Sequence, residues 1–95
     1  MNVTLCLRIH GRVQGVGYRD ALRREALRHG LRGWVRNRRD GTVEALLQGD
    51  ESSVQAVAAW ARQGPPAAGV ERVDAQAAQG DLDRPYAGFD WLPTA

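Results

Sequence analysis

The chain contains no lysine, only one cysteine and no long hydrophobic run. All thirteen basic residues are arginine, which excludes Schiff-base chemistry on a lysine and a P-loop built around a lysine. The lone Cys6 cannot form an intrachain disulfide, and its isolation favours a reducing, cytoplasmic location. Because Arg8 interrupts the short apolar stretch near the N-terminus, we expect neither a signal peptide nor a membrane span.

Histidine and aromatic residues are also scarce. His10 and His29 belong to no cluster of metal-ligating residues, so we expect neither a metal ion nor a cofactor. An RNA-binding sheet would need aromatic side chains on its strands. The chain has three tryptophans, two tyrosines and one phenylalanine, and of these only Trp34 falls in a predicted strand of the first half. We therefore expect no nucleic-acid partner.

The charge is distributed unevenly along the chain. Residues 1–40 contain ten arginines and three acidic residues, whereas residues 41–95 contain three arginines and eight acidic residues. A basic surface attracts anions. We therefore expect the N-terminal half to face an anion. Because no hydrophobic run approaches the length of a membrane span, we also expect no membrane partner.

Hydrophobic spacing predicts four strands and two helices within a single domain that spans residues 1–95. Alternating apolar residues predict strands near 3–10, 31–37, 43–47 and 70–77. Four-residue spacing predicts two helical faces, formed by Tyr18, Ala21, Leu22 and Ala26 and by Val54, Val57, Ala58 and Ala61. Phe89 and Trp91 indicate a possible short fifth strand at the C-terminus.

The order βαββαβ predicts an α+β fold, in which an antiparallel sheet carries both helices on one face. A single helical crossover makes the first two strands run in the same direction, with the third strand inserted between them. The chain after the first strand and Asn37 at the end of the second then lie at the same edge of the sheet. Their separation is about two strand spacings, or roughly 10 Å.

A glycine-rich segment joins the first predicted strand to the first helix, with the sequence Gly11-Arg12-Val13-Gln14-Gly15-Val16-Gly17-Tyr18-Arg19. Backbone N–H groups at the start of a helix attract anions, and glycines let the backbone turn closely around the ligand. The guanidinium of Arg19 would add a planar, permanently charged group matched to phosphate oxygens. The segment therefore predicts a phosphate-binding loop.

Other phosphate-binding patterns fit less well. Asp20 replaces the third glycine of the dinucleotide fingerprint, and the Walker A motif needs a lysine. Cys6 and Arg12 have the spacing of a cysteine-dependent phosphatase. If the strand pattern between them holds, however, an extended chain separates them by roughly 20 Å. Arg28-His29-Gly30 is similar to a histidine-phosphatase motif but falls at a predicted helix end.

Two segments, residues 11–19 and GWVRNRRDGTVE at 33–44, together resemble the acylphosphatase family, and the resemblance covers nearly the whole chain. It implies a ferredoxin-like α/β sandwich that hydrolyses acyl phosphates to a carboxylate and inorganic phosphate without a metal ion. It also implies that Arg19 binds the phosphate and that Asn37 orients the attacking water. The backbone cradle would comprise Gln14, Gly15, Val16, Gly17, Tyr18 and Arg19.

The chemistry of this substrate agrees with what the sequence lacks. An acyl phosphate releases a carboxylate, which needs no general acid, so N–H donors, one arginine and one asparagine can suffice. We expect in-line attack of water without a covalent intermediate, since the loop contains no plausible nucleophile. We also expect a monomer. The alternative is a non-catalytic acylphosphatase-like domain that binds or senses an anion. Trp34, Trp60 and Trp91 are interpreted as packing residues, and the cluster Arg36, Arg38 and Arg39 as a solvated hairpin.

Overall fold

The computed structural model describes all 95 residues and contains five strands, two α-helices and one turn of 3-10 helix. In chain order they are β1 (Asn2–Arg12), α1 (Tyr18–Arg28), β2 (Arg32–Asn37), β3 (Val43–Asp50), α2 (Glu51–Ala61), β4 (Gly69–Ala77), the 3-10 turn (Gly80–Leu82) and β5 (Phe89–Trp91). The predicted order βαββαβ and the short fifth strand are both confirmed. Neither α-helix has the length and hydropathy needed to cross a membrane.

The strands form one sheet in the order β4-β1-β3-β2-β5. β3 lies antiparallel between β1 and β2, as the helical crossover predicts. The prediction of an antiparallel sheet is wrong at one edge, because β5 runs parallel to β2 with Trp91 opposite Val35. The sheet is therefore mixed.

The direction of β5 follows from the place where β4 ends. β4 is antiparallel to β1 and ends beside the start of β1, where the N–H of Ala78 donates to the carbonyl of Thr4. β2 begins at this same end, because Thr4 and Arg32 both pair with Gln48. The segment between β4 and β5 crosses the sheet at this end, held by a hydrogen bond from the Tyr86 N–H to the side chain of Gln48. β5 therefore starts beside the start of β2 and runs in the same direction as β2.

Both helices pack on one face of the sheet over a single core. The strands contribute alternate residues and the helices contribute the two predicted faces. The core includes Leu7, Ile9, Val35, Val43, Ala45 and Leu47 from the strands and Tyr18, Leu22, Ala26, Val54, Val57, Ala58 and Ala61 from the helices. Tyr18 joins the two helices, since its O–H donates to the carbonyl of Ala61 at 2.7 Å. Burial raises the pKa of Tyr18, so this phenol stays protonated as a donor.

The hairpin between β2 and β3 is held by ion pairs on the face away from the helices. Our expectation of a solvated arginine cluster is wrong for two of its three members, and only Arg39 is exposed. Arg36 Nε lies 2.8 Å and Arg38 Nη1 lies 3.3 Å from Glu44 Oε1. Strand register explains why Arg36 meets Glu44, because the two residues lie opposite each other in neighbouring strands. Arg8 lies opposite Glu44 on its other side.

Candidate active site

The glycine-rich loop that follows β1 and the end of β2 meet at one edge of the sheet. A cavity of about 90 Å³ lies between them. Its lining residues are Val13, Gln14, Gly15, Gly17, Tyr18, Arg19, Asp20, Asn37 and Trp91. The glycine loop and Asn37 thus lie together, as the strand directions predict. Of the six residues assigned to the cradle, Val16 alone does not line the cavity, and it packs against the core instead.

The loop presents a row of backbone donors that the protein leaves unpaired. α1 begins after Gly17 without a side-chain cap, whereas the side chain of Asp50 caps α2. None of the backbone N–H groups of residues 14–19 donates a hydrogen bond within the protein, and the first N–H of α1 with a partner is that of Ala21. Gly15 and Gly17 have φ angles of +74° and +79°, which other L-residues rarely adopt. Glycine therefore allows the turn that leaves these amides free to bind an anion.

The side chain of Gln14 ties this loop to the hairpin that follows Asn37. Gln14 Nε2 donates to the carbonyls of Arg38 at 2.8 Å and Thr42 at 2.9 Å. Sequence reasoning assigned Gln14 to the cradle through its backbone and missed this role of its side chain. No local pattern signals it, because the partners lie 24 and 28 residues further along the chain.

Asn37 carries an unsatisfied acceptor. Its Oδ1 is buried and has no hydrogen-bond partner in the protein. A buried polar atom without a partner costs roughly 1–3 kcal/mol, so most buried polar atoms in proteins are paired. Because Asn37 lines the cavity, a donor bound there could satisfy this oxygen.

The guanidinium of Arg19 lies over an aromatic ring, with its central carbon 4.5 Å from the ring centroid of Trp91. Arg23 and Arg28 on the same helix bond the Phe89 carbonyl and Glu25, respectively. Arg19 has no comparable hydrogen bond or ion pair. The interpretation of Trp91 as a packing residue is wrong, because 53% of its surface is exposed.

The structure also decides between the alternative phosphate-site patterns. Cys6 and Arg12 lie in the same extended strand, so their side chains cannot surround one phosphate. Burial raises the pKa of the Cys6 thiol, which makes it a weaker nucleophile. His29 caps the C-terminus of α1, away from the cavity. No group of three or more His, Cys, Asp or Glu side chains is arranged to hold a metal ion.

Comparison with known families decides the assignment. The family model described as Acylphosphatase matches residues 5–91. The chain belongs to the acylphosphatase family. An acylphosphatase of Thiobacillus denitrificans is 55% identical over 87 residues, which cover 92% of this chain and 93% of the relative. One from Azoarcus sp. is 56% identical over 89 residues, covering 93% and 87% of the two chains.

Solved acylphosphatase structures share the fold. The chain superposes on an acylphosphatase from Coxiella burnetii with a TM-score of 0.86 at 29% identity, covering 99% of this chain and 93% of the other. It superposes on one from Bacillus subtilis with a TM-score of 0.86 at 32% identity, covering 97% and 99%. The ferredoxin-like acylphosphatase fold is thereby confirmed. The chain is a hydrolase that acts on acyl phosphates.

Proposed function

We propose that this acylphosphatase uses direct, in-line attack of water on phosphorus, with the phosphoryl group bound by Arg19 and by the backbone N–H groups of residues 14–19. Asn37 orients the attacking water. One observation carries the proposal: the unpaired Oδ1 of Asn37, the unpaired amides of the loop and the unpaired guanidinium of Arg19 belong to one cavity.

Phosphate binding follows from the donors of the loop. Successive N–H groups at the start of α1 point partial positive charge at the ligand, and the helix dipole adds to it. Arg19 contributes a full positive charge and a planar set of donors that matches two phosphate oxygens. These donors are in place before the substrate binds, so they stabilise the charge on the phosphoryl oxygens without reorganisation.

Asn37 holds the attacking water through its side-chain oxygen. Its Oδ1 accepts a hydrogen bond, so it can hold a water molecule by one proton and direct a lone pair towards phosphorus. The amide of Asn37 is too weak a base to remove a proton from the attacking water. The phosphoryl oxygens of the substrate are the groups available to accept that proton. The bond from water oxygen to phosphorus forms as the bond from phosphorus to the carboxylate oxygen breaks.

The leaving group explains why so few residues are needed. A carboxylate leaves without protonation, whereas an alkoxide would need a general acid or a metal ion. We therefore propose that the reaction is independent of metal ions and passes through no covalent intermediate. We also propose that residues 1–95 act as a single domain, as a monomer and in the cytoplasm. The packing of both helices over one core supports the single domain, and the unpaired Cys6 agrees with a reducing location.

Two substitutions test the assignment of the site. Arg19→Ala should weaken inorganic phosphate binding by at least about tenfold and lower kcat/KM with it, because charge-assisted hydrogen bonds are lost. Asn37→Ala should lower kcat by about a hundredfold or more, by analogy with removal of an oriented catalytic group, and leave phosphate binding within about threefold. The measurements are hydrolysis of benzoyl phosphate with and without a chelator, and competition by inorganic phosphate.

A matched control separates the site from general charge effects. Arg24→Ala removes an exposed arginine of the same helix that does not line the cavity, and it should leave both measurements unchanged. Activity that survives Arg19→Ala would contradict the assigned site. A pure protein that binds phosphate but does not hydrolyse benzoyl phosphate would favour the alternative of a non-catalytic domain.

A further inference from the structure

Arg19 is held at the cavity by an aromatic face instead of an acidic side chain. Its guanidinium carbon lies 4.5 Å from the centroid of the Trp91 ring, well within the roughly 6 Å over which a cation is attracted to an aromatic ring. We propose that Trp91 is a positioning residue that orients Arg19 for phosphate binding. The proposal rests on the role of Arg19 proposed above.

The kind of contact matters because phosphate needs the same donors that an acidic partner would occupy. An aspartate or glutamate beside Arg19 would accept its N–H groups and offset its charge. An indole face attracts the cation through the ring quadrupole and accepts none of the in-plane N–H groups. Trp91 therefore restrains the side chain of Arg19 and leaves its donors free. The loss of rotamer freedom then occurs on folding and not on substrate binding.

The fold places Trp91 against Arg19 through a matched pair of contacts between α1 and β5. Arg19 and Arg23 lie four residues apart, on one face of α1. Phe89 and Trp91 lie two residues apart, on one side of β5. Arg23 Nε donates to the carbonyl of Phe89 at 2.8 Å, and Arg19 stacks on Trp91 one helical turn earlier. The buried side chain of Phe89 anchors this strand in the core.

β5 is also held in place by its pairing with β2. Trp91 lies opposite Val35 in the parallel ladder, and the N–H of Leu92 donates to the Val35 carbonyl at 3.0 Å. Val35 is fully buried and precedes Asn37 by two residues in the same strand. The strand that carries Asn37 therefore also sets the position of Trp91. Core packing does not explain Trp91 itself, since 53% of it is exposed.

The test is the affinity for inorganic phosphate, measured by titration calorimetry and by competitive inhibition. Trp91→Leu keeps an apolar side chain and removes the ring, and it should weaken phosphate binding between about 2-fold and 30-fold. KM should rise by a similar factor while kcat changes less, because Arg19 binds phosphate in both ground state and transition state. Trp91→Phe keeps a smaller aromatic face and should fall between Trp91→Leu and the unchanged protein.

A double-mutant cycle separates positioning from any direct effect of Trp91. In the Arg19→Ala background, Trp91→Leu should cause no further loss of phosphate affinity, because the residue through which it acts is absent. Tyr86→Leu is the matched control. It removes another arginine–aromatic stack, in which Arg84 lies 5.2 Å from the Tyr86 ring, and it should leave phosphate affinity unchanged. Urea unfolding of each variant verifies that it is folded.

Two results would overturn the proposal while the assigned site stands. The first is unchanged phosphate affinity in Trp91→Leu, when Arg19→Ala still weakens binding. The second is an equal loss from Trp91→Leu with and without Arg19, which would mean that Trp91 acts independently. If Arg19→Ala itself leaves phosphate binding unchanged, the proposed role of Arg19 fails and this inference fails with it.

Discussion

Replacing Gln14 by leucine tests whether one side chain holds the two halves of the site together. From the loop, Gln14 Nε2 donates to the carbonyls of both Arg38 and Thr42 in the hairpin, at 2.8 and 2.9 Å. Leucine has a similar volume and no donor. The substitution therefore removes both hydrogen bonds and leaves two partly buried carbonyls without this partner.

The magnitude follows from the two bonds. A neutral hydrogen bond contributes about 0.5–1.5 kcal/mol net, so losing two should lower the free energy of unfolding by about 1–3 kcal/mol. For a domain of this size, each kcal/mol lowers Tm by about 4–8 °C, which gives a fall of roughly 5–20 °C. The loop amides and Asn37 would also lose their fixed separation. Misplaced catalytic groups are costly, and we expect kcat/KM to fall by about 10- to 100-fold.

The assays are urea unfolding and hydrolysis of benzoyl phosphate on the same preparations. Gln55→Leu, an exposed glutamine on α2, is the matched control and should change neither quantity. If Gln14→Leu changes the free energy of unfolding by less than about 0.5 kcal/mol and leaves kcat/KM unchanged, the loop is held by other contacts and Gln14 does not have this role.

Three further predictions concern stability and pH. Gly33→Ala should destabilise the fold by at least about 3 kcal/mol, because its Cβ would lie 1.8 Å from the Leu46 carbonyl oxygen at a φ of +139°. A wild-type Tm would contradict this. Tyr18→Phe removes the buried hydrogen bond to α2 and should lower the free energy of unfolding by about 1–2 kcal/mol in urea, with an unchanged value counting against it. Hydrogen bonds from Thr42 hold the pKa of Asp40 below its usual value, so the Asp40 carboxylate stabilises the fold at neutral pH and this contribution is lost as the pH falls through the lowered pKa. Urea titrations from about pH 6 down to pH 2 should therefore show a steeper loss of stability in the natural protein than in Asp40→Asn, and parallel curves would disprove it.

Local patterns were sufficient to predict most of the fold. The four-residue spacing of Val54, Val57, Ala58 and Ala61 specifies one face of a helix, and the same residues are buried in α2. Such periodicity is predictive because a helix or strand must bury its apolar side whatever it packs against. The direction of β5 was not predicted. It depends on where a connection of irregular structure crosses the sheet, and no periodicity records that.

Part of the site was likewise predicted from sequence, and part was not. The direction of two strands placed the glycine loop beside Asn37, and the structure has both at one cavity. The hydrogen bonds of Gln14 and the stacking of Arg19 on Trp91 were not predicted. In each case the partners are remote in sequence, and their contact depends on side-chain orientation, which sequence spacing does not specify. The exposure of Trp91 was missed for the same reason.

The sequence by itself determined the order of the elements, the residues of the core and the loop whose glycines leave backbone donors free, because these follow from local conformation and from apolar periodicity. Only the tertiary structure decided how the donors of that loop are fixed. The amide of Gln14 holds the loop to the hairpin, and Trp91 supports Arg19 from a strand more than seventy residues later in the chain. Interactions of this kind depend on distances of a few ångströms between segments that only the folded sheet brings together.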